Sequence, residues 1–285
     1  MHPSLKIVAA CAVASLAAHA GAQTVIPDSA LTPTQSLYTT DFGNVVVMTG
    51  GGNAAGVGSA SGRNDDGFSG PISLGYTLAN FFGQDYSSIY INNNGNVTFG
   101  SGLAAYTPSG PEGATQPVIA PFFADVDTRG AASGVVYVNQ SIANETIITW
   151  DHVGYYSSHD DKLDTFQLVI RGDAYDTPEG EGQIGFFYGG MQWETGDASN
   201  GSGGFGGSPA AVGFGDGNQQ GYTLEGSLSN GISSIVDHES IWFDVNSSGT
   251  PVPVPPLPAV PEPGPVGMLL AGLATLAAVA RRRKA

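Results

Sequence analysis

The sequence predicts an all-β fold, an antiparallel β-sandwich-like domain that takes up most of the 285-residue chain. Short runs of alternating apolar and polar residues recur, and glycine, asparagine and proline separate them. No stretch from residue 23 to residue 250 keeps a helical repeat over three turns. Many short strands divided by turn signals are typical of a sandwich or barrel. A domain of this length can bury an adequate core without disulfides.

The predicted strands follow one another along the whole domain. Each is a short apolar or alternating run bounded by turn residues, at residues 45–48, 72–78, 134–138, 146–150, 165–170, 183–188, 211–214 and 240–245. Residues 23–40 are predicted to be an irregular lead-in. Residues 50–67 and 196–208 are glycine-rich and are predicted to be surface loops.

The clearest hairpin turns at Asn94-Gly95. A two-residue loop would place Ile91 opposite Thr98, whereas a three-residue loop ending at Gly95 places Ile91 opposite Val97. The longer loop brings the apolar residues to one face of the hairpin. We therefore predict the three-residue loop, with Gly95 in the left-handed conformation.

Residues 119–128 set an apolar run directly against two carboxylates, Asp125 and Asp127. If the run continues as a strand, Phe123 and both acids share one face. Neighbouring acids repel each other, so Arg129, ordered water, backbone N–H groups or a bound cation should offset them. Ca²⁺ takes about six to eight oxygen ligands, and Asp125 and Asp127 are therefore candidate metal ligands. Structural hydrogen bonding and an acidic patch that faces a partner are the alternatives.

The chain carries no recognised catalytic motif. His159-Asp160-Asp161 suggests a metal or catalytic site, but no Gly-x-Ser-x-Gly elbow accompanies it, and the one cysteine, Cys11, lies near the N-terminus. We predict no catalytic residues and no enzyme activity, with a secreted hydrolase as a distant alternative. Trp193 is a candidate for an exposed ring that stacks on sugar, whereas Trp150 and Trp242 are expected to pack in the core.

Both ends of the chain carry targeting signals. Residues 1–22 are typical of a secretory signal peptide, with Lys6, an apolar segment and a cleavage site after Ala20 or Ala22. The predicted β domain occupies residues 23–250, and residues 251–259 form a proline-rich linker.

The C-terminal segment, residues 260–285, combines three features in a fixed order. Pro261-Glu262-Pro263 comes first, an apolar segment at 266–280 is predicted to span the membrane, and Arg281-Arg282-Arg283 follows. The basic residues predict a cytoplasmic C-terminus, with the domain on the other side of the inner membrane.

This order resembles a PEP-CTERM sorting signal. The resemblance implies recognition by an exosortase, a membrane protease-transpeptidase-like enzyme, in an exopolysaccharide-producing Gram-negative bacterium. Cleavage near Pro-Glu-Pro would then release the inner-membrane-anchored precursor or transfer it to the cell surface.

The central domain resembles the nidogen-like (NIDO) domain over residues 72–245. Several motifs carry the likeness in family order, at residues 91–100, 119–128, 149–153, 164–168, 187–188, 192–193, 212–214 and 225–227. The chain departs from the family at Phe123, where tryptophan is frequent, at Asp164, where asparagine is usual, and in the insertion at 196–208. The resemblance implies an extracellular role in cell–matrix adhesion, and it offers no catalytic residues.

The charge of the chain limits its partners. Residues 23–259 contain 24 acidic and 4 basic residues, which disfavours nucleic-acid binding and favours attraction for divalent cations. The hypothesis is an exported protein for cell–matrix adhesion or biofilm matrix assembly, whose partner is a matrix protein or exopolysaccharide. A carbohydrate-binding module for exopolysaccharide is the alternative.

Overall fold

The computed structural model describes residues 22–50 and 61–257. The strands there are β1 (Ala22–Ile26), β2 (Thr32–Pro33), β3 (Asn44–Val45), β4 (Ile72–Phe81), β5 (Gln84–Asn92), β6 (Asn96–Thr98), β7 (Pro117–Phe123), β8 (Val126–Asp127), β9 (Val136–Asn139), β10 (Glu145–Tyr155), β11 (His159–Arg171), β12 (Ile184–Tyr188), β13 (Ala211–Asp216), β14 (Gln220–Leu224), β15 (Glu239–Val245) and β16 (Pro251–Pro253). One short α-helix, α1 (Ile232–Val236), and 3-10 turns at Asp28–Ala30, Pro111–Gly113 and Asp197–Ser199 complete the described elements.

The described strands form two sheets, which confirms the all-β prediction. The first sheet has the order β1-β14-β13-β7-β6-β5-β4. The second has the order β16-β15-β12-β11-β10-β9-β3, with β2 paired to β15 and β8 paired to β10. Neighbouring strands are antiparallel except β1, which runs parallel to β14.

Aromatic side chains from the two sheets meet in one core. Phe186 on β12 lies 5.2 Å from Phe214 on β13, between ring centroids, and Phe122 on β7 lies 5.6 Å from Phe166 on β11. Trp150 stacks on Phe166 at 5.0 Å. Each fully buried large apolar side chain contributes about 1.5–3 kcal/mol relative to exposure, so these contacts hold the sheets together.

The predicted hairpin register is confirmed. Ile91 lies opposite Val97, and Asn92 lies opposite Asn96, so the loop holds three residues. Gly95 has φ of 72°, in the left-handed region. The asparagines of this turn are fully buried, although asparagine usually lies on the surface.

The chain crosses from the first sheet to the second between β7 and β8. Strand β7 ends at Phe123, so the apolar run does not continue as one strand through Asp127. Val126 N donates to Asn94 Oδ1 at 2.9 Å, and Ala124 N donates to Asn94 O at 3.3 Å. We call residues 124–127 the crossover and residues 92–96 the asparagine turn.

The N-terminal segment is more ordered than the sequence predicts. Residues 23–40 were expected to be irregular, but β1 pairs with β14 and β2 pairs with β15. Strand β14 has no strong sequence signal because Gln220 and Gly221 begin it. Its neighbours supply the hydrogen bonds that define it.

The proline-rich segment begins as part of the sheet. Pro251–Pro253, the start of the predicted linker, forms strand β16 against β15. Proline is tolerated there because β16 is an edge strand and needs no second set of backbone donors.

The targeting segments fall outside the described residues. These are the predicted signal peptide at 1–22, apart from Ala22, and the predicted membrane segment at 266–280. Across residues 22–50 and 61–257, no helix combines the length and apolar character that crossing a membrane requires.

Alanine at Gly95 tests how tightly the asparagine turn packs on strand β7. A Cβ there would lie 1.8 Å from Phe122 O, in addition to the cost of a left-handed alanine. Gly83 is the matched control because its φ is 77° and a Cβ there meets nothing within 4 Å. We expect Gly83→Ala to lower the free energy of unfolding by about 1 kcal/mol.

We expect Gly95→Ala to lower the free energy of unfolding by at least about 2 kcal/mol more than Gly83→Ala does, because a close backbone contact must be relieved. Urea unfolding of both variants measures the difference. Equal losses would show that the turn has room for a side chain and that the packing described here is wrong.

Candidate functional site

Four aspartates and one arginine lie together where the chain crosses between the sheets. Asp125 and Asp127 belong to the crossover, and Asp65 and Asp66 lie at the end of the glycine-rich segment 50–67. Asn64 N donates to Thr128 Oγ1 at 2.7 Å, and Thr128 N donates to Asn64 O at 3.0 Å. These bonds fix the Asn64–Asp66 segment beside the crossover.

Asp127 is fully compensated by protein groups. Arg129 Nε donates to its Oδ1 at 2.8 Å, and Arg129 Nη2 donates to its Oδ2 at 2.6 Å. Ser158 N also donates to Oδ2 at 2.7 Å. Arg129 therefore offsets the charge of Asp127, and it is one of the groups that the sequence predicts for this role. Protein donors thus contact both oxygens of the Asp127 carboxylate.

Asp125 has no such compensation. Its side chain is buried, and neither carboxylate oxygen accepts a hydrogen bond from the described residues. Burial first, and then the charges of the nearby acids Asp66, Asp65, Asp127 and Asp197, raise the pKa of Asp125 to about 8. The ionised form of Asp125 is therefore unfavourable unless a positive charge lies close to it.

Asp65 and Asp66 are only partly compensated. Asp65 Oδ2 contacts Arg129 Nη2 at 2.7 Å, while its Oδ1 is buried without a partner among the described residues. Burial first, and then the charges of Asp127 and Asp66, raise the pKa of Asp65 to about 7. Burial also raises the pKa of Asp66, although Asn94 Nδ2 donates to its Oδ1 at 2.7 Å.

The structure therefore groups different acids from those that the sequence predicted. Asp125 is retained from the predicted pair, but Asp65 and Asp66 replace Asp127. One oxygen from each of the three lies within 4.8 Å of the others, as in a site for a hard cation. In the sequence, Asp65 and Asp66 belong to the Asn64–Gly67 run, whose composition predicts only the end of a loop.

The other candidate acids and histidines lie elsewhere. Asp160 Oδ2 accepts from Ala132 N at 2.7 Å, and Asp161 accepts from Tyr155 and Lys162. His159 Nε2 contacts Asp197 Oδ2 at 3.1 Å, not the acids next to it in sequence. The described contacts of His159, Asp160 and Asp161 therefore do not converge on one site.

Asp164, one of the positions at which the sequence departs from the family that it resembles, has a structural role. It is fully buried on β11, and its Oδ1 accepts from the backbone N–H groups of Gln192 and Trp193. Burial raises the pKa of Asp164 well above its ordinary value. An asparagine would make the same two hydrogen bonds without the charge.

The prediction that Trp193 faces a ligand is wrong. Its side chain is 0% exposed, and its Nε1 donates to Val153 O at 3.0 Å. Its ring packs 5.5 Å from Tyr155 and 6.2 Å from Phe122, between centroids. The backbone N–H groups of Gln192 and Trp193 donate to Asp164, and the indole N–H donates to Val153, so the contacts of Trp193 are with residues distant in sequence.

A cavity of about 210 Å³ opens beside the first sheet. The described residues of its lining are mainly apolar and include no carboxylate: Leu103, Ala105, Thr107, Ser109, Gly110, Pro111, Gly113, Ala114, Thr115, Val118 and Phe123. Among these described residues there is no pair of carboxylates of the kind that a glycosidase places across its cleft.

Comparison with known proteins gives two family matches. Residues 37–250 match the NIDO related family, and residues 259–284 match the PEP-CTERM protein-sorting motif. The predicted sorting residues Pro261, Glu262, Pro263, Arg281, Arg282 and Arg283 fall inside the second match but outside the described residues. The motif indicates an exported surface protein and implies processing by an exosortase.

Curated relatives agree with the first match. Alpha-tectorin of Mus musculus is 31% identical over 206 residues, which is 62% of this chain and 9% of the relative. Nidogen of Drosophila melanogaster is 29% identical over 146 residues, 42% of this chain and 10% of the relative. The chain thus spans about a tenth of the length of these relatives.

No solved structure matches the chain. The family match nevertheless covers most of the chain, including most strands of both sheets and the acidic cluster. The chain belongs to the NIDO-related family.

Proposed function

We propose that this exported protein serves in cell–matrix adhesion or biofilm matrix assembly, without catalysis. The observation that carries the proposal is the combination of a NIDO-related domain at 37–250 and a sorting motif at 259–284 in one chain. The sorting motif delivers the domain outside the cell, and the family resemblance implies a role in matrix contact there. The partner is a matrix protein or exopolysaccharide.

The folded domain supports binding better than turnover. The clustered acids Asp65, Asp66 and Asp125 are not among the residues that line the cavity, and the described lining is mainly apolar. His152 and His159 each contact an aspartate but no nucleophilic side chain in the described contacts. Apolar recesses with few polar groups are typical of binding sites.

Binding of the organism's exopolysaccharide is the second candidate, and exposed aromatic residues favour it. Tyr106 and Phe205 are 40% and 44% exposed on two different loops. A hydrogen bond of 2.9 Å between Thr107 Oγ1 and Ser199 Oγ joins these loops. Aromatic rings on neighbouring loops are suited to stacking on sugar rings.

Sorting and attachment are tested together in the producing bacterium. We expect alanine at Pro261, Glu262 and Pro263 to leave an unprocessed precursor in the membrane fraction, because the exosortase motif is lost. Surface attachment and matrix retention should then fall to the level of a strain that lacks the gene. Immunoblots of cell fractions and a static attachment assay measure both effects.

Alanine at Pro255 and Pro256 is the matched control, because it also removes prolines near the tail but keeps the motif. This variant should be processed and should restore attachment. If the motif variant is processed normally, the sorting assignment fails. If both variants and the deletion strain attach equally well, the adhesion role fails.

The exopolysaccharide alternative is tested with purified polymer. If the loops bind sugar, Tyr106→Ala with Phe205→Ala should weaken binding by about tenfold or more, since stacking contributes about 1–2 kcal/mol. Ile142→Ala is the control because Ile142 is 47% exposed and not aromatic. Absence of polymer binding by the unmodified protein would reject this alternative in favour of a protein partner.

A further inference from the structure

We propose that Asp65, Asp66 and Asp125 bind one Ca²⁺ ion, which ties the segment before β4 to the crossover between the sheets. The inference does not rest on the proposed adhesion role. It concerns a cation site whose ligands come from two segments separated by about sixty residues of sequence. Neither segment is a calcium-binding sequence motif by itself.

The first support is geometric. An oxygen from each of the three carboxylates lies within 4.8 Å of the other two. Thr128 and Asn64 exchange hydrogen bonds beside the cluster, so the two segments are held in place by the chain itself. A site built on fixed backbone needs little reorganisation when the ion binds.

The second support is the state of Asp125. Its side chain is 1% exposed, and both oxygens lack a hydrogen-bond donor among the described residues. One of these oxygens belongs to the cluster. A buried polar group without a partner costs about 1–3 kcal/mol, and a charged group costs more, so such a carboxylate calls for an explanation.

Other buried acids in the same fold are supplied with donors. Glu194 is also 1% exposed, but it accepts hydrogen bonds from Gly231 N, Ser233 N and Ser233 Oγ. Asp127, which is 0% exposed, is paired with Arg129. Asp125 therefore differs from these acids because protein donors do not satisfy it.

Charge balance points in the same direction. Arg129 contacts Asp127 through both oxygens of that carboxylate, and it contacts Asp65 through one oxygen. No ion pair of the described residues reaches Asp66 or Asp125. One arginine thus faces four acids, and a divalent cation would compensate most of the remaining charge.

The donor atoms favour Ca²⁺ over Mg²⁺. All of the cluster's ligand atoms are oxygens, and the buried amide oxygens of Asn64 and Asn93 accept no hydrogen bond from the described residues. Asn93 donates to Val126 O, next to Asp125. Ca²⁺ accepts about six to eight carboxylate, amide and water oxygens in flexible geometry, whereas Mg²⁺ requires near-ideal octahedral geometry and keeps several waters.

The test uses the exported protein purified from its host and freed of metal with a chelator. Isothermal titration calorimetry should show one Ca²⁺ bound per chain. At Ca²⁺ about a hundredfold above the dissociation constant, the melting temperature should rise by about 5 °C or more. Mg²⁺, and NaCl at matched ionic strength, should produce a clearly smaller shift.

Three variants assign the site. Asp125→Asn and Asp66→Asn should each lose the Ca²⁺-dependent shift, because each removes a carboxylate but nearly preserves the side-chain shape. If Asp125→Asn does not fold, Asp66→Asn still tests the site, because Asp66 is only partly buried and its substitution disturbs the core less. Asp176→Asn is the control, because it removes the same charge from an exposed position and should keep the full shift.

The outcomes separate clearly. The site is supported if Ca²⁺ raises the melting temperature of the unmodified protein and of Asp176→Asn but not that of a cluster variant. No binding by calorimetry overturns it, and so does an equal shift in all variants, which would indicate general screening of an acidic surface. An equal response to Mg²⁺ overturns the assignment to Ca²⁺. Because these readouts do not involve attachment, failure here leaves the proposed function standing, and the reverse also holds.

Discussion

The structure depends on hydrogen bonds between the buried asparagine turn and the crossover. Asn94 accepts from Val126 N through its side chain and from Ala124 N through its backbone, while Asn93 Nδ2 donates to Val126 O. The chain must leave one sheet and enter the other at this point, so its backbone groups lose their strand partners. The turn replaces those partners inside the core, where unpaired groups would be costly.

The same turn connects the crossover to the aromatic core. Trp150 Nε1 donates to Asn93 O at 3.0 Å, and the Trp150 ring stacks on Phe166. Phe122 N donates to Gly95 O at 3.2 Å, which brings β7 against the turn. Buried hydrogen bonds of this kind favour one arrangement of the chain over others. The four asparagines are therefore structural, despite their polar character.

This arrangement also explains why acids are buried at the crossover. Asp125 and Asp127 follow β7 directly, so the route between the sheets carries both inside. Arg129 compensates Asp127 two residues later, and it reaches Asp65 as well. The remaining acids have raised pKa values because burial disfavours their charged forms. A cation would remove that cost and would link the Asn64–Asp66 segment to both sheets.

The sequence predicts much of the fold but only one, Asp125, of the three acids that cluster in the structure. Period-two alternation and the Asn94-Gly95 turn fixed the hairpin register, because one register alone kept Ile91 and Val97 on the same face. The association of Asp65 with Asp125 depends on long-range pairing at Thr128, which no local pattern encodes. The burial of Trp193 is also missed for this reason, since its hydrogen bonds are to Asp164 and Val153, which are distant in sequence. Strand β1 was missed because its partner, β14, lies almost two hundred residues away.

Native-state hydrogen exchange of the backbone amides tests the central role of the asparagine turn most directly. If the turn and the crossover belong to the cooperative core, the Ala124 and Val126 amides should exchange only on global unfolding, with the same free energy as the Leu168 amide in the centre of the second sheet. Exchange of Ala124 and Val126 through a local opening several kcal/mol below the global value would contradict the account.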